Sequence, residues 1–297
     1  MKFLASILAC GLLALAASAQ TGSQFGGVTV ELTLPQDDYL PGEELRVGVR
    51  VLNRSGTELE LGKDNTWLRF SIEAKDKKLV PQTGLPPVTG VFQVSNSMQA
   101  TKWVPVTPYF DLRRLGAYTI SAVVEIPGWN RPIKSEPKSF EVEHGDQIRA
   151  VEFGVPPPAG GVNAQPEVHH YVLERTDRRG RLNLYLTVSD PVGRAETAFR
   201  LCDLLNFSRP EIAVDQNAVA HILSQVGAKE FTYYQVNYLG VILARQTYQY
   251  TATRPTLALN KNGEVFVNGG ERLVAKTDLP PPELPEYIAP DASSTNL

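Results

Sequence analysis

The chain has 297 residues, 42% hydrophobic and 21% charged, which is enough for two ordinary domains with real cores. A formal net charge of −3 at pH 7 gives no electrostatic reason to expect nucleic acid or an anionic membrane as a partner. The 23 glycines and 22 prolines suit many turns and a few linkers.

The first twenty residues read as an export signal. Lys2 supplies the positive start, Phe3 to Ala17 is an apolar run, and Ala17-Ser18-Ala19 is the small-residue spacing that signal peptidase reads. A signal peptide over 1–19 is therefore expected, with Gln20 as the new N-terminus and a periplasmic or extracellular destination. The run is too short and Ala-rich for a transmembrane anchor, so none is expected once the signal is removed. Ile7-Leu8-Ala9-Cys10 has the look of a lipoprotein box, but the apolar run continues past the cysteine, and lipid anchoring is set aside. Cleavage leaves Cys202 as the sole cysteine, which excludes an intrachain disulfide. Flanked by Leu201, it reads as a small buried hydrophobe.

Residues 27–144 alternate. Val28, Val30, Leu32 and Leu34 form one apolar face, and Leu45, Val47, Val49 and Val51 form the next. Leu68, Phe70, Ile72 and Ala74 follow, with Asp76-Lys77-Lys78 as a charged hairpin tip. Residues 81–100 are loop-like with a short strand at 91–94. Strands resume at 102–106, at 117–126 and at 139–143. About seven such strands with turn signals every 8–12 residues predict an antiparallel β-sandwich.

The stretch Asp111-Leu112-Arg113-Arg114-Leu115-Gly116-Ala117-Tyr118 resembles the approach to strand F of immunoglobulin-like domains, where a corner Tyr bonds back to the preceding loop. Tyr39-Leu40-Pro41-Gly42-Glu43, the strand after it and Asn53-Arg54-Ser55-Gly56 are similar to bacterial immunoglobulin-like modules, including the proteinase-inhibitor type of bacilli. The paired cysteines of antibody domains are absent, with Ile120 where the second would fall. The resemblance implies a fold and carries over no functional residue.

Three tryptophans, Trp67, Trp103 and Trp129, accompany this domain. A ring packed at the sandwich edge is the ordinary role of each, and an aromatic platform for sugar or peptide is the functional one. Trp67 is out of phase with Leu68, Phe70 and Ile72, which predicts exposure. Trp129 sits in a Pro-Gly-Trp-Asn turn. Both are candidate binding-surface residues.

Val155-Pro156-Pro157-Pro158-Ala159-Gly160-Gly161 marks the junction, with Ile148–Phe153 already part of a second antiparallel β domain over 148–275. That domain contains an echo. Residues 209–223, RPEIAVDQNAVAHIL, match 254–268, RPTLALNKNGEVFVN, about 45 residues on, a spacing within the range of propeller-blade repeats. Hairpins at 171–188 and 231–250 precede the two copies. The expected repeat is thus a four-strand unit used twice, over about 168–225 and 229–270. Two such sheets are expected to pack face to face, and Pro210 and Pro255 should stand at matching strand entries. Helix and strand patterns fit 195–205 almost equally, and the repeat register favours a strand over its second half. Residues 276–297 read as a Pro-rich disordered tail.

The polar turns at Asp215-Gln216-Asn217 and Asn260-Lys261-Asn262-Gly263 carry too few carboxylates for calcium and suit ordinary hairpins. Adjacent His169 and His170 face opposite ways on a strand, and His221, aligned with Phe266, reads as a packed ring. Arg178 and Arg179, in a hairpin tip rich in arginine, complete the candidate binding surface, although a solvated turn is the usual reading. No catalytic residue, cofactor or metal is expected.

The sequence thus predicts an all-β, exported, non-enzymatic protein acting in binding, adhesion or assembly, with another exported or cell-surface protein as partner. The alternatives are an inhibitor or accessory subunit of an exported protease or other hydrolase, and an enzyme with an interdomain site.

Overall fold

The computed structural model describes residues 23–155 and 167–280. The expected signal peptide, Cys10, most of the junction and the tail from 281 onward lie outside the described residues. Among those described, the chain is all-β with antiparallel sheets, a propeller-like arrangement of small sheets. No helix among them is long and apolar enough to cross a membrane.

The N-terminal half begins with β1 (Ser23–Phe25), β2 (Val28–Thr33), β3 (Asp38–Tyr39) and β4 (Arg46–Asn53). It continues with β5 (Leu59–Leu61), β6 (Leu68–Ala74), β7 (Phe92–Val94) and β8 (Gln99–Pro105). Last come β9 (Gly116–Val124), β10 (Ile133–Lys134) and β11 (Lys138–Val142). One sheet runs β1-β2-β4-β8; a second runs β10-β9-β11-β3, with β6 also paired to β9. The apolar positions of the alternating strands meet in one core: Val28 and Val30 from β2, Val47, Val49 and Val51 from β4, Ile72 from β6, and Ile120, Ala122 and Val124 from β9 are all fully buried. Period-2 alternation places every second side chain on that shared face. Tyr118 Oη donates to the Arg114 carbonyl at 2.7 Å, pinning the loop before β9 to the strand.

The C-terminal half starts with β12 (Asp146–Val155), β13 (Glu167–Arg178), β14 (Arg181–Ser189) and β15 (Ala195–Asp203), which form one four-stranded sheet in that order. There follow β16 (Glu211–Val214), β17 (Ala220–Gln225), β18 (Glu230–Val236), β19 (Ile242–Gln249), β20 (Thr256–Leu259), β21 (Val265–Asn268) and β22 (Glu271–Leu273). The second sheet runs β16-β17-β18-β19-β22, while β20 and β21 form a separate two-stranded sheet. Tyr171, Leu173, Leu184, Leu186 and Val188 from the first of these sheets share a core with Ile212, Ala220, Ile222, Tyr234 and Val236 from the second. The opposite face of the second sheet, carrying Leu223, Phe231 and Tyr233, packs against Leu257 of β20 and Val267 of β21.

This corrects the expected four-strand units. β15, strand along its whole length, takes the place beside β14 that the repeat assigned to the Arg-Pro hairpin. The β16–β17 hairpin therefore crosses to the next sheet and pairs with β18. The echo itself is real. Pro210 and Pro255 are both buried and immediately precede the four-residue strands β16 and β20.

Its cause is a turn used four times, at Asp190, Asp215, Asn237 and Asn260, recurring roughly every 23 residues. Each first residue donates its N–H to the carbonyl four positions on, and its side-chain Oδ1 accepts the N–H groups two and four positions on. The fourth position has positive φ: Gly193 (80°), Ala218 (60°), Gly240 (77°) and Gly263 (78°). A short Asx side chain and a left-handed residue are what such a hairpin needs. The turns join β14 to β15, β16 to β17, β18 to β19 and β20 to β21, so the underlying unit is one hairpin.

Residues 276–280, placed by sequence in the tail, are held against β19. Leu279 exchanges both backbone hydrogen bonds with Arg245 at 2.9 Å, and buried Asp278 accepts from Arg272 at 2.7 Å.

Candidate functional site

The two halves meet where the segment Pro35–Glu44 of the first lies across β14 and β15 of the second. Arg178, at the tip of the β13–β14 hairpin, reaches into this segment. Its Nη2 donates to Glu43 Oε2 at 2.8 Å, and its Nη1 to Glu43 Oε1 at 3.1 Å and to Gln36 Oε1 at 2.6 Å. Tyr185 Oη donates to Glu43 Oε1 at 3.0 Å, the Leu40 N–H to Oε2 at 2.8 Å, and Gln36 Nε2 to Oε1 at 2.8 Å. The side chains of Arg178 and Glu43 are 14% and 10% exposed. Burial, then the charge of Glu43, pushes the Tyr185 phenol well above its ordinary value and keeps it a neutral donor. A bidentate guanidinium–carboxylate pair with its spare lone pairs satisfied is the geometry in which a buried charge is tolerated. Leu40, Tyr185 and Ala198 form a small apolar cluster beside it.

Backbones also touch. The Ala198 N–H donates to the Gly42 carbonyl at 3.1 Å, a parallel bridge between Glu43 and β15. A Cβ on Gly42 would stand 3.2 Å from Thr197 Cα, and one on Gly240 only 2.5 Å from Thr197 Cγ2. Glycine at both places leaves room for Thr197 between Gly42 of the first half and Gly240 of the second.

Beside this junction lies a groove of about 840 Å³. Phe110, Leu112, Phe199 and Ile242 give it apolar lining from both halves, and Glu44, Asp111, Arg113, Glu196 and Arg200 add charge. Arg113 is doubly bonded to Asp111, at 2.8 and 3.2 Å, and these bonds hold the Asp111 carboxyl below the usual carboxylate range. Arg200 is engaged with Asn183 at 2.7 Å and with Asp203. The groove thus offers preformed apolar surface with oriented polar groups, within the size range of about 300–1,000 Å³ typical of ligand sites.

The sequence-chosen residues are dispersed. Trp67 is 3% exposed, stacks on Phe92 at 5.5 Å and donates from Nε1 to the Val88 carbonyl at 2.9 Å; it belongs to the core. Trp67 precedes β6, where strand alternation does not yet apply, so being out of phase with Leu68 does not expose it. Trp129 is half-buried, edge-on to Phe25 at 5.9 Å. Arg178 is not part of a solvated tip but the buried half of the interregion pair. Arg179 remains exposed and meets Asp37 at 2.9 Å. The groove residues were missed, as no local pattern ties 107–113 to 196–200 or 242.

Two other singled-out side chains are packed. His221 is buried, its Nδ1 2.6 Å from Tyr233 Oη and its Nε2 3.4 Å from Asp215 Oδ2. Cys202 is buried on β15, where desolvation pushes its thiol up to about 11, the opposite of what a nucleophile requires.

Fold and site together define an all-β protein of small antiparallel sheets with a preformed groove between its halves. No family model matches the chain, and no curated protein matches it. Among solved structures, a family 123 glycoside hydrolase from Clostridium perfringens is similar at 12% identity over 39% of this chain, with a TM-score of 0.25. This chain spans 27% of that hydrolase's length. The sporulation control protein Spo0M from Bacillus subtilis is similar at 14% identity, over 60% of this chain and 90% of its own, with a TM-score of 0.29. Neither likeness bears on what this chain does.

Proposed function

We propose that this is an exported, non-catalytic binding protein whose ligand or partner enters the groove between the two halves. The carrying observation is the Arg178–Glu43 pair, which joins the two halves beside the groove before any ligand arrives. Preorganisation of this kind lowers the entropy cost of binding. The reading takes residues 27–144 as an immunoglobulin-like domain, supported by the two facing sheets and the Tyr118 bond to Arg114. It takes 148–275 as a second β domain and rests export on the pattern of residues 1–19. An exported or cell-surface protein is the partner class that fits this destination.

Two measurements test it. Mass spectrometry of the chain recovered from the host should give an N-terminus at Gln20; a chain retaining Met1, or acylated at Cys10, contradicts export by this route. Purified protein incubated with panels of glycosides, esters and peptides should give no turnover. Any turnover abolished by substituting groove residues such as Glu196 would replace binding with catalysis.

A further inference from the structure

Trp103 points outward from β8, the edge strand of its sheet, because its neighbour Val104 is fully buried on the core face. Directly across, on β4, stands Gly48. A Cβ there would lie 3.0–3.1 Å from indole atoms Cη2, Cζ2 and Cζ3, so the ring lies over the glycine. Gly48 is buried for this reason although it faces away from the core. An aromatic side chain covering a cross-strand glycine supports the sheet, which accounts for the covered side of the ring. It does not account for the side left to solvent, and Trp103 is 45% exposed.

The surroundings of that open side are polar and balanced. Sheet register puts Thr33 next to Gly48, and Glu31, Arg50 and Thr101 side by side in the adjoining outward row. Arg50 pairs with Glu31 at 3.6 Å, and Arg46, on the other side of Gly48, pairs with Glu44 at 4.0 Å. An anionic ligand would call for unpaired guanidinium groups and a cationic one for unpaired carboxylates. Here each guanidinium stands within 4.0 Å of a carboxylate and the row carries no charge excess, leaving planar donors and acceptors beside an open aromatic ring. Sugar hydroxyls both donate and accept, and the C–H face of a pyranose is apolar and flat enough to lie against an indole.

We propose that this sheet face is a neutral-saccharide site, with one pyranose ring stacked on Trp103 and its hydroxyls bonded by Arg50, Glu31 and Thr101. The site is separate from the groove and stands whether or not the groove binds anything.

The test is retention of the purified full chain on cellulose, chitin and xylan, with heparin-agarose and immobilised polyproline alongside. At least one neutral polymer should retain the protein, Trp103→Ala should lower retention at least tenfold, and Trp103→Phe should lose less. In the unaltered protein, soluble oligosaccharides of the retaining polymer should protect Trp103, and not Trp129, from hydroxyl-radical oxidation read by mass spectrometry. This second measurement decides the matter if Trp103→Ala does not fold. Failure to bind any neutral polymer, binding only to heparin or polyproline, retention indifferent to Trp103→Ala, or protection of Trp129 in place of Trp103 overturns the proposal.

Discussion

The two halves of this molecule reach the same all-β end by different means. The N-terminal half relies on alternation: its strands differ in length and its loops in chemistry, and one large core draws on nearly every strand. The C-terminal half relies on a turn. One Asx-led hairpin, used at Asp190, Asp215, Asn237 and Asn260, sets each strand pair locally, and the core is divided between two interfaces, one on each face of the β16–β19 sheet. Local turn chemistry thus builds hairpins without dictating which sheet each hairpin joins. That choice is made by tertiary packing, and the seam between halves is held by the buried Arg178–Glu43 pair together with the Gly42–Ala198 backbone bond and a small apolar cluster.

The seam should give the largest effect. Replacing Glu43 or Arg178 singly with Ala strands its partner's charge and should cost about 3–5 kcal/mol. In urea unfolding, the double replacement should cost less than the two single losses added together, since it strands no charge. Additive losses would show that the pair does not join the halves.

Next comes the turn. Asp215→Ala removes the acceptor for two backbone N–H groups, at 2.9 Å each, and should cost roughly 1–3 kcal/mol. The loss should appear as faster amide exchange at Asn217 and Val219, with the N-terminal core unchanged. Spread of the effect to β2 or β4 would contradict the separateness of the two cores.

Acid should also discriminate between the halves. Burial lowers the His221 pKa from its ordinary 6.5, with Asp215 opposing in part. The unfolded chain therefore takes up a proton that the folded chain refuses, and stability falls as pH drops below about 6.5. Burial works against the Asp215 charge, but the N–H groups of Val219 and Asn217 and the His221 ring outweigh it and hold its pKa below 3.8. Its stabilising contribution is present above the unfolded value and fades at lower pH, so both groups weaken the C-terminal half in acid. His221→Gln should flatten the fall between pH 7 and 5, measured by thermal melts; an unchanged slope would assign it elsewhere.

The smallest effects compare glycines. Gly263, at φ 78° with nothing within 4 Å of a built Cβ, should cost about 1 kcal/mol as Ala from backbone strain alone. Gly48 has no positive φ, and Ala there should cost less, because the indole end of Trp103 can shift by a few tenths of an ångström.

Much of this architecture was legible in the sequence, and the omissions have physical causes. Leu45, Val47, Val49 and Val51 announced β4 and its buried face, because a half-buried strand must alternate. The Arg-Pro echo located two hairpins correctly yet misassigned their sheets, since hairpin chemistry is local and sheet membership is not. Trp67 and Arg178 were misread for a shared reason. Their partners, Val88 and Glu43, stand 21 and 135 residues away in sequence, beyond any periodic pattern. The groove inherits that difficulty, as its walls come from both halves, while Trp103 was visible as a tryptophan but not as the exposed one.

The role of the Arg178–Glu43 pair in holding the two halves together beside the groove is tested most directly by the distance between halves. Spin labels at the exposed positions Lys78 and Lys229, introduced as Lys78→Cys and Lys229→Cys with buried Cys202 left in place, report that distance by pulsed electron resonance. A single narrow distribution is predicted for the otherwise unaltered protein, and a broad one once Glu43→Gln is added. A broad distribution before that change, or a narrow one after it, would contradict the account.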